Sequence, residues 1–315
     1  MHILVTGGAG YLGSVLVPTL LQQGYDVTVL DNFMYNQTSL LDCCIHPKLT
    51  IVRGDTRDEG LLKDLMKNVD AIFPLACLTG APLCDKSPKD AEEIIINALQ
   101  LILKYRSPNQ VVIYPTTNSG YGVGEKGKFC TESTPLRPIS IYGRLKVQAE
   151  EMVLQAGNGM TLRLATAFGV SPRMRLDLLV NDFTYKAFHH RYIELFEPHF
   201  KRNFIHVRDV ARAFIHGLNH FNTMKNQPYN VGLSDANLSK LELCQEIQKH
   251  IPDFKFVESK TGQDPDKRDY IVSNEKIEKT GFKQSVSLSM GIQELIKGFK
   301  ILNQHRSPTV MLTNV

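Results

Sequence analysis

The chain of 315 residues has no uninterrupted apolar run of the ~18 residues that a membrane-spanning helix needs. It does not open on a charged segment followed by an apolar signal core either. MHILVTGGAG reads as a strand entering a glycine turn, and a cytoplasmic location is expected. The six cysteines (Cys43, Cys44, Cys77, Cys84, Cys130, Cys244) make no CxxC and no Cys/His ligand spacing, so reduced thiols are expected, with no disulfide and no metal. Charge of one sign is scarce in excess: 36 Lys and Arg stand against 32 Asp and Glu, scattered along the chain. No basic stripe with interleaved aromatics marks a nucleic-acid surface. Internal repeats and low-complexity linkers are missing too.

What is present is enough to fold a full core, with 43% hydrophobic and 22% charged residues. Short β-branched runs (HILVT, DVTVLD, LTIVRGD, DAIFPLA, QVVIYP) alternate with helical patterns such as LGSVLVPTLLQQG and AEEIIINALQLILKY. Strands separated by helices of 10–15 residues predict βαβ units and a parallel sheet covered on both faces. The expected fold is α/β, a doubly wound parallel sheet of Rossmann type over residues 1–165. After residue 165 the pattern loosens into loops, single strands (RYIELF, NFIHV) and helices (LSKLELCQEIQKHI, MGIQELIKGFKIL). Residues 166–315 are expected to form mainly a smaller, irregular α/β substrate domain over the carboxyl edge of the sheet.

The turn GGAGYLG follows the strand HILVT and opens an apolar-periodic helix. Gly7 suits the tight turn, Gly10 lets backbone close on a pyrophosphate, and Gly13 lets helix and strand pack closely, with the helix N-terminus facing the anion. The second strand ends in Asp31, near the spacing of about 20 residues at which an acid accepts hydrogen bonds from an adenosine ribose. A carboxylate there repels a 2′-phosphate, which favours NAD over NADP. Asp55, ending the third strand, is placed to reach the adenine amino group.

In IYGRLKVQAEE, Tyr142 and Lys146 stand one turn apart on a helix. A phenol near pKa 10 is a poor base at neutral pH, and a neighbouring ammonium is expected to bring it toward the working range. GGAGYLG, Asp31, GDTRD, PLAC, PTTNSGYG, YGRLK, RNFIHVRDVARA and YNVG then occur in an order that resembles the extended short-chain dehydrogenase/reductases acting on nucleotide sugars. The resemblance runs over nearly the whole chain. It implies an NAD-dependent enzyme in which the tyrosine takes the proton from a sugar hydroxyl while hydride leaves the same carbon, and the lysine also holds the nicotinamide ribose. Cofactor contacts are implied for Tyr11 and Leu12 in the turn and for Asn32 beside Asp31. Thr56, Leu75, Ala76, Tyr142 and Lys146 complete the implied set.

The same resemblance places Thr117 against the reacting oxygen. The family's 4,6-dehydratases read Thr-Asp-Glu at this strand end, whereas this chain reads Thr117-Asn118-Ser119. Asn118 and Ser119 can orient a sugar by hydrogen bonding, but neither serves as a general acid at neutral pH. Elimination of water is therefore not expected. Oxidation at one carbon remains, followed by return of the hydride (epimerisation) or by release of a keto sugar (dehydrogenation). Arg202 and Arg268 match pyrophosphate-binding arginines and Asn181 a phosphate-facing asparagine, while Arg173 and Arg175 are expected to be solvated and His206 to be structural. SPRMRLDLLVNDF, RNFIHVRDV, GAPLC and PTTNSGYG resemble, more narrowly, the GDP-heptose 4-dehydrogenases of capsular polysaccharide pathways. A homodimer is implied, pairing the YxxxK helix with the one before it, where LILKY offers an apolar stripe that can equally face its own core.

Overall fold

The computed structural model describes residues 1–259 and 268–302. Seven parallel strands form the main sheet, in the order Pro228–Val231, Gly159–Leu164, Val111–Thr117, Ala71–Pro74, His2–Thr6, Asp26–Asp31, Leu49–Arg53. Side chains alternate across it as strand geometry dictates. Ile3, Val5, Phe73 and Ile113 join the core under the helices Gly13–Gln22 and Val207–Asn219, where the rings of Phe73 and Phe214 lie 5.3 Å apart. Leu4, Ile72, Val112 and Tyr114 face the other way, onto the helices Glu59–Met66, Ala98–Tyr105 and Ile141–Gln155. Helices on both faces explain why these strands read as nearly continuous apolar runs.

Strand order reverses between His2–Thr6 and Ala71–Pro74, and a crevice opens at the carboxyl ends of strands on either side of such a switch point. Beyond residue 165, the strands Thr166–Phe168, Lys201–His206 and Asn237–Ser239 form a small sheet. Its core of Phe168, Val180, Phe204, Leu243 and Ile292 is separate from the two layers of the main sheet. The chain then returns: the helix Val207–Asn219 covers the main sheet and Pro228–Val231 joins its edge. Among the described residues, no helix is long and apolar enough to cross a membrane. His206 is fully buried and pairs with Glu294 at 2.7 Å, edge-on to Phe168, a setting that makes it structural.

Candidate active site

The glycine turn sits at the switch point because its backbone leaves no room for anything else. Gly7 has φ +70°, and a Cβ there would stand 2.6 Å from the backbone nitrogen of Ala76 on the neighbouring strand end. At Gly13 a Cβ would meet the Gly8 carbonyl oxygen at 2.4 Å, so the helix can start against the turn only as glycine. Asp31 holds the turn from the second strand, accepting from the N–H groups of Ala9 (2.9 Å) and Phe33 (2.8 Å) and from Gln37 (3.2 Å). Burial pushes its carboxyl above the ordinary range, against the pull of those hydrogen bonds.

Gly7, Gly10, Gly13 and Asp31 line a cleft of about 620 Å³, together with Tyr11, Leu12, Asn32, Asp55, Thr56, Leu75 and Ala76. Asp55 is not free in it: its carboxylate is clamped by Arg57 at 2.8 Å, and that guanidinium holds the carboxyl below its usual range. Tyr11 donates to the Gly169 carbonyl at 2.8 Å, and Ser14 meets Ser171 at 2.8 Å, so the turn is stitched to the stretch that follows the strand Thr166–Phe168.

Tyr142 and Lys146 reach the same cleft from the helix Ile141–Gln155, whose first turn is capped by Ser140 accepting from the Gly143 N–H at 3.2 Å. Lys146 is buried, and Nζ donates to the Tyr114 hydroxyl at 3.1 Å and to the Pro115 carbonyl at 3.0 Å. The expected fall in the Tyr142 pKa is not met. Burial pushes this phenol well up, and the ammonium of Lys146 offsets only part of that. Lys146 itself is desolvated, yet Cys77, Tyr114 and Tyr142 around it more than compensate and its proton is held more tightly than usual.

The strand end divides its polar side chains between two tasks. Thr116 turns inward and donates to Glu150 at 3.0 Å, in a buried network where Glu150 pairs with Arg163 at 2.6 Å and Arg163 donates to Tyr121 at 3.0 Å. Thr117 and Ser119 line the cleft, with Thr117 donating to the Ser119 hydroxyl at 3.1 Å and Arg268 donating to it at 2.8 Å. Asn118 does not line it. The 3-10 turn Asn118–Tyr121 carries this side chain inward, where it is 1% exposed and its amide oxygen and nitrogen meet no hydrogen-bond partner among the described residues.

Asn181 is also turned away from the cleft. Its amide accepts from the Gly169 N–H at 3.0 Å and donates to the Arg175 carbonyl at 2.8 Å, which leaves it holding a loop. Arg202 and Arg268 are among the residues that line the cleft. Arg173 and Arg175, expected to be solvated, are buried cleft residues: Arg173 lies 4.4 Å over the Tyr35 ring and Arg175 pairs with Asp177. Sequence reading missed Tyr35, Lys186 and Lys240 of the lining, and Tyr114 beneath it. A Tyr in place of a plain apolar residue in QVVIYP was the one available signal for Tyr114.

Residues 3–232 match the profile of the NAD dependent epimerase/dehydratase family. UDP-glucuronic acid decarboxylase 1 of Arabidopsis thaliana is 26% identical over 323 aligned residues, which cover 96% of this chain and 71% of the relative. UDP-glucose 4-epimerase of Lactobacillus helveticus is 26% identical over 79% of this chain and 81% of its own. The crystal structure of UDP-glucuronic acid 4-epimerase from Bacillus cereus, in complex with UDP-glucuronic acid and NAD, shares the fold with a TM-score of 0.84 at 23% identity, covering 96% of this chain and 100% of that one. With its glycine turn, acid-ended second strand and YxxxK helix gathered on one cleft, and with that profile matched over most of its length, the chain belongs to the NAD dependent epimerase/dehydratase family.

Proposed function

We propose that this chain oxidises carbon 4 of a nucleotide sugar without eliminating water, and that it acts as a 4-dehydrogenase on a GDP-heptose-type substrate. The observation that carries the reading is the strand end: Thr117 and Ser119 share the cleft with Tyr142 and Lys146, and no carboxylate stands at positions 117–119. The cleft fits NAD. Gly10 keeps the turn bare, since a Cβ there would press on the Gly7 carbonyl oxygen at 3.2 Å, and the carboxylate of Asp31 has acceptor capacity beyond its three donors. Held by the glycine turn and Asp31, NAD would supply a hydride acceptor for the sugar carbon. Tyr142 takes the hydroxyl proton, Lys146 holds the ammonium charge beside it, and Thr117 hydrogen-bonds the reacting oxygen. Arg202 and Arg268 hold the pyrophosphate, suited to it by their planar forks.

The preference for a GDP-heptose rests on the wording of SPRMRLDLLVNDF and RNFIHVRDV. A 4-epimerase is the second reading, favoured by the UDP-sugar 4-epimerases among the chain's relatives. Incubation with a panel of GDP-, UDP-, CDP- and dTDP-sugars, followed by reduced-nicotinamide absorbance and product mass, tests both. A product lighter by two hydrogens supports the dehydrogenase, an unchanged mass with inverted stereochemistry supports the epimerase, and loss of water overturns the reading. The homodimer implied by the family resemblance would bring together the helices Ala98–Tyr105 and Ile141–Gln155, where Leu101, Leu145 and Met152 remain partly exposed, and light scattering checks it.

A further inference from the structure

Tyr114 has no part in the reading above. It is 2% exposed, lies under the helix Ile141–Gln155, and does not line the cleft. Lys146 nevertheless donates to its hydroxyl at 3.1 Å, and Nζ lies 4.4 Å from the centre of its ring. The Pro115 carbonyl takes a second Lys146 proton at 3.0 Å. That carbonyl is available because the ladder to Ala71–Pro74 ends at Val112, the same gap that lets a residue without an N–H sit in this strand.

An ammonium has three N–H donors on a flexible stem that carries about 2 kcal/mol of rotamer entropy. Two consecutive residues of one strand fix two of those donors. The third is left for the cleft, where Tyr142 stands. We propose that Tyr114 is a positioning residue: its hydroxyl, with the Pro115 carbonyl, aims the Lys146 ammonium at the cleft and so sets how readily Tyr142 gives up its proton. The inference rests on the reading of Tyr142 as the proton acceptor. The charged and titratable groups around Tyr142 are Lys146, Tyr114, Cys77, Cys84 and Arg175.

Removing the hydroxyl leaves the ammonium charged but held by one acceptor, so its field at Tyr142 is averaged over more rotamers. A buried phenol also needs a partner for its own sake, and Lys146 supplies it. That purely structural role moves stability without moving the ionisation of Tyr142. Four variants separate the two: Tyr114→Phe, Tyr114→Met, Tyr142→Phe and Tyr121→Phe. Tyr121 is a buried tyrosine bonded to Asn230, Thr131 and Arg163, away from Lys146.

The first readout is the ultraviolet phenolate titration of each protein with NAD added and no sugar, taken as a difference against Tyr142→Phe. The second is the pH profile of kcat/KM on whichever panel sugar turns over. Tyr114→Phe is expected to move both upward by about one pH unit, and to lower kcat about tenfold near neutrality with the sugar KM unchanged. Tyr114→Met moves both in the same direction, and Tyr121→Phe moves neither. Unshifted profiles in folded Tyr114→Phe and Tyr114→Met, whether or not kcat falls, overturn the proposal. Turnover retained by Tyr142→Phe instead overturns the reading of Tyr142 on which it rests.

Discussion

Arg268 donates from Nη1 to the hydroxyl oxygen of Ser119 at 2.8 Å, joining two residues 149 positions apart across the mouth of the cleft. Ser119 in turn takes the Thr117 proton at 3.1 Å, so one hydroxyl links Arg268 to the strand end beside Tyr142.

A nucleotide-sugar pyrophosphate is a stronger acceptor for a guanidinium than a serine hydroxyl. Arg268→Ala is therefore expected to raise the sugar KM by roughly 10- to 100-fold, the equivalent of a charge-assisted hydrogen bond. NAD affinity should stay as it was, and a paired titration of sugar and cofactor checks both.

Asp31 ties Ala9 and Phe33 to the second strand. Replacing it with Ala leaves two N–H groups without their acceptor and removes the charge that repels a 2′-phosphate. NAD should bind at least about tenfold more weakly, and the preference over NADP should shrink. Fluorescence titration with NADH and NADPH measures the two changes, and an unaltered preference shows that another group reads the ribose.

Turnover should depend on pH with a definite sign. Burial holds the proton on Tyr142, so the base form grows and kcat climbs as the solution is made more alkaline. Lys146→Met removes the charge that favours the phenolate and should push the rising limb to higher pH. Tyr142→Phe should cost about 10²- to 10⁴-fold in kcat while NAD still binds. A rate profile that falls toward alkaline pH would contradict the assignment.

Glu150 lies 3% exposed and accepts from Thr116, Thr161 and Arg163 beneath the strand end. Glu150→Ala leaves the Arg163 charge buried without its carboxylate. A loss of about 3–5 kcal/mol in stability is expected, read as a lower urea midpoint.

The parts of this site written in local sequence were legible. A glycine turn between a strand and a helix, an acid at the end of the next strand, and a tyrosine one helical turn before a lysine all act through neighbours a few residues away. Gly7, Gly13, Asp31, Tyr142 and Lys146 consequently line one cleft. What the chain hid depends on how separate elements meet. Lys146 and Tyr114 are 32 positions apart and touch only because a strand's even face meets a helix. Asn118 and Ser119 look alike as polar neighbours, yet a 3-10 turn sends one inward and leaves the other on the cleft. Arg173 and Arg175 read as solvated loop arginines until the loop is seen folded against Tyr35 and Asp177. The pKa of Tyr142 could not be signed from the spacing of its lysine, because burial is set by everything packed around it.

The return of the chain to the main sheet also governs how the protein can be divided in the laboratory. A fragment ending at residue 165 would lose Pro228–Val231 and expose residues 161–164 of the strand Gly159–Leu164 as a parallel edge. It would also lose the helix Val207–Asn219, which covers Ile113, Met160 and Leu162. Bare strand edges beside uncovered apolar surface template pairing between copies. The glycine turn and YxxxK helix cannot be borrowed as a stand-alone cofactor module, and a fusion or transplant has to carry the chain through Val231.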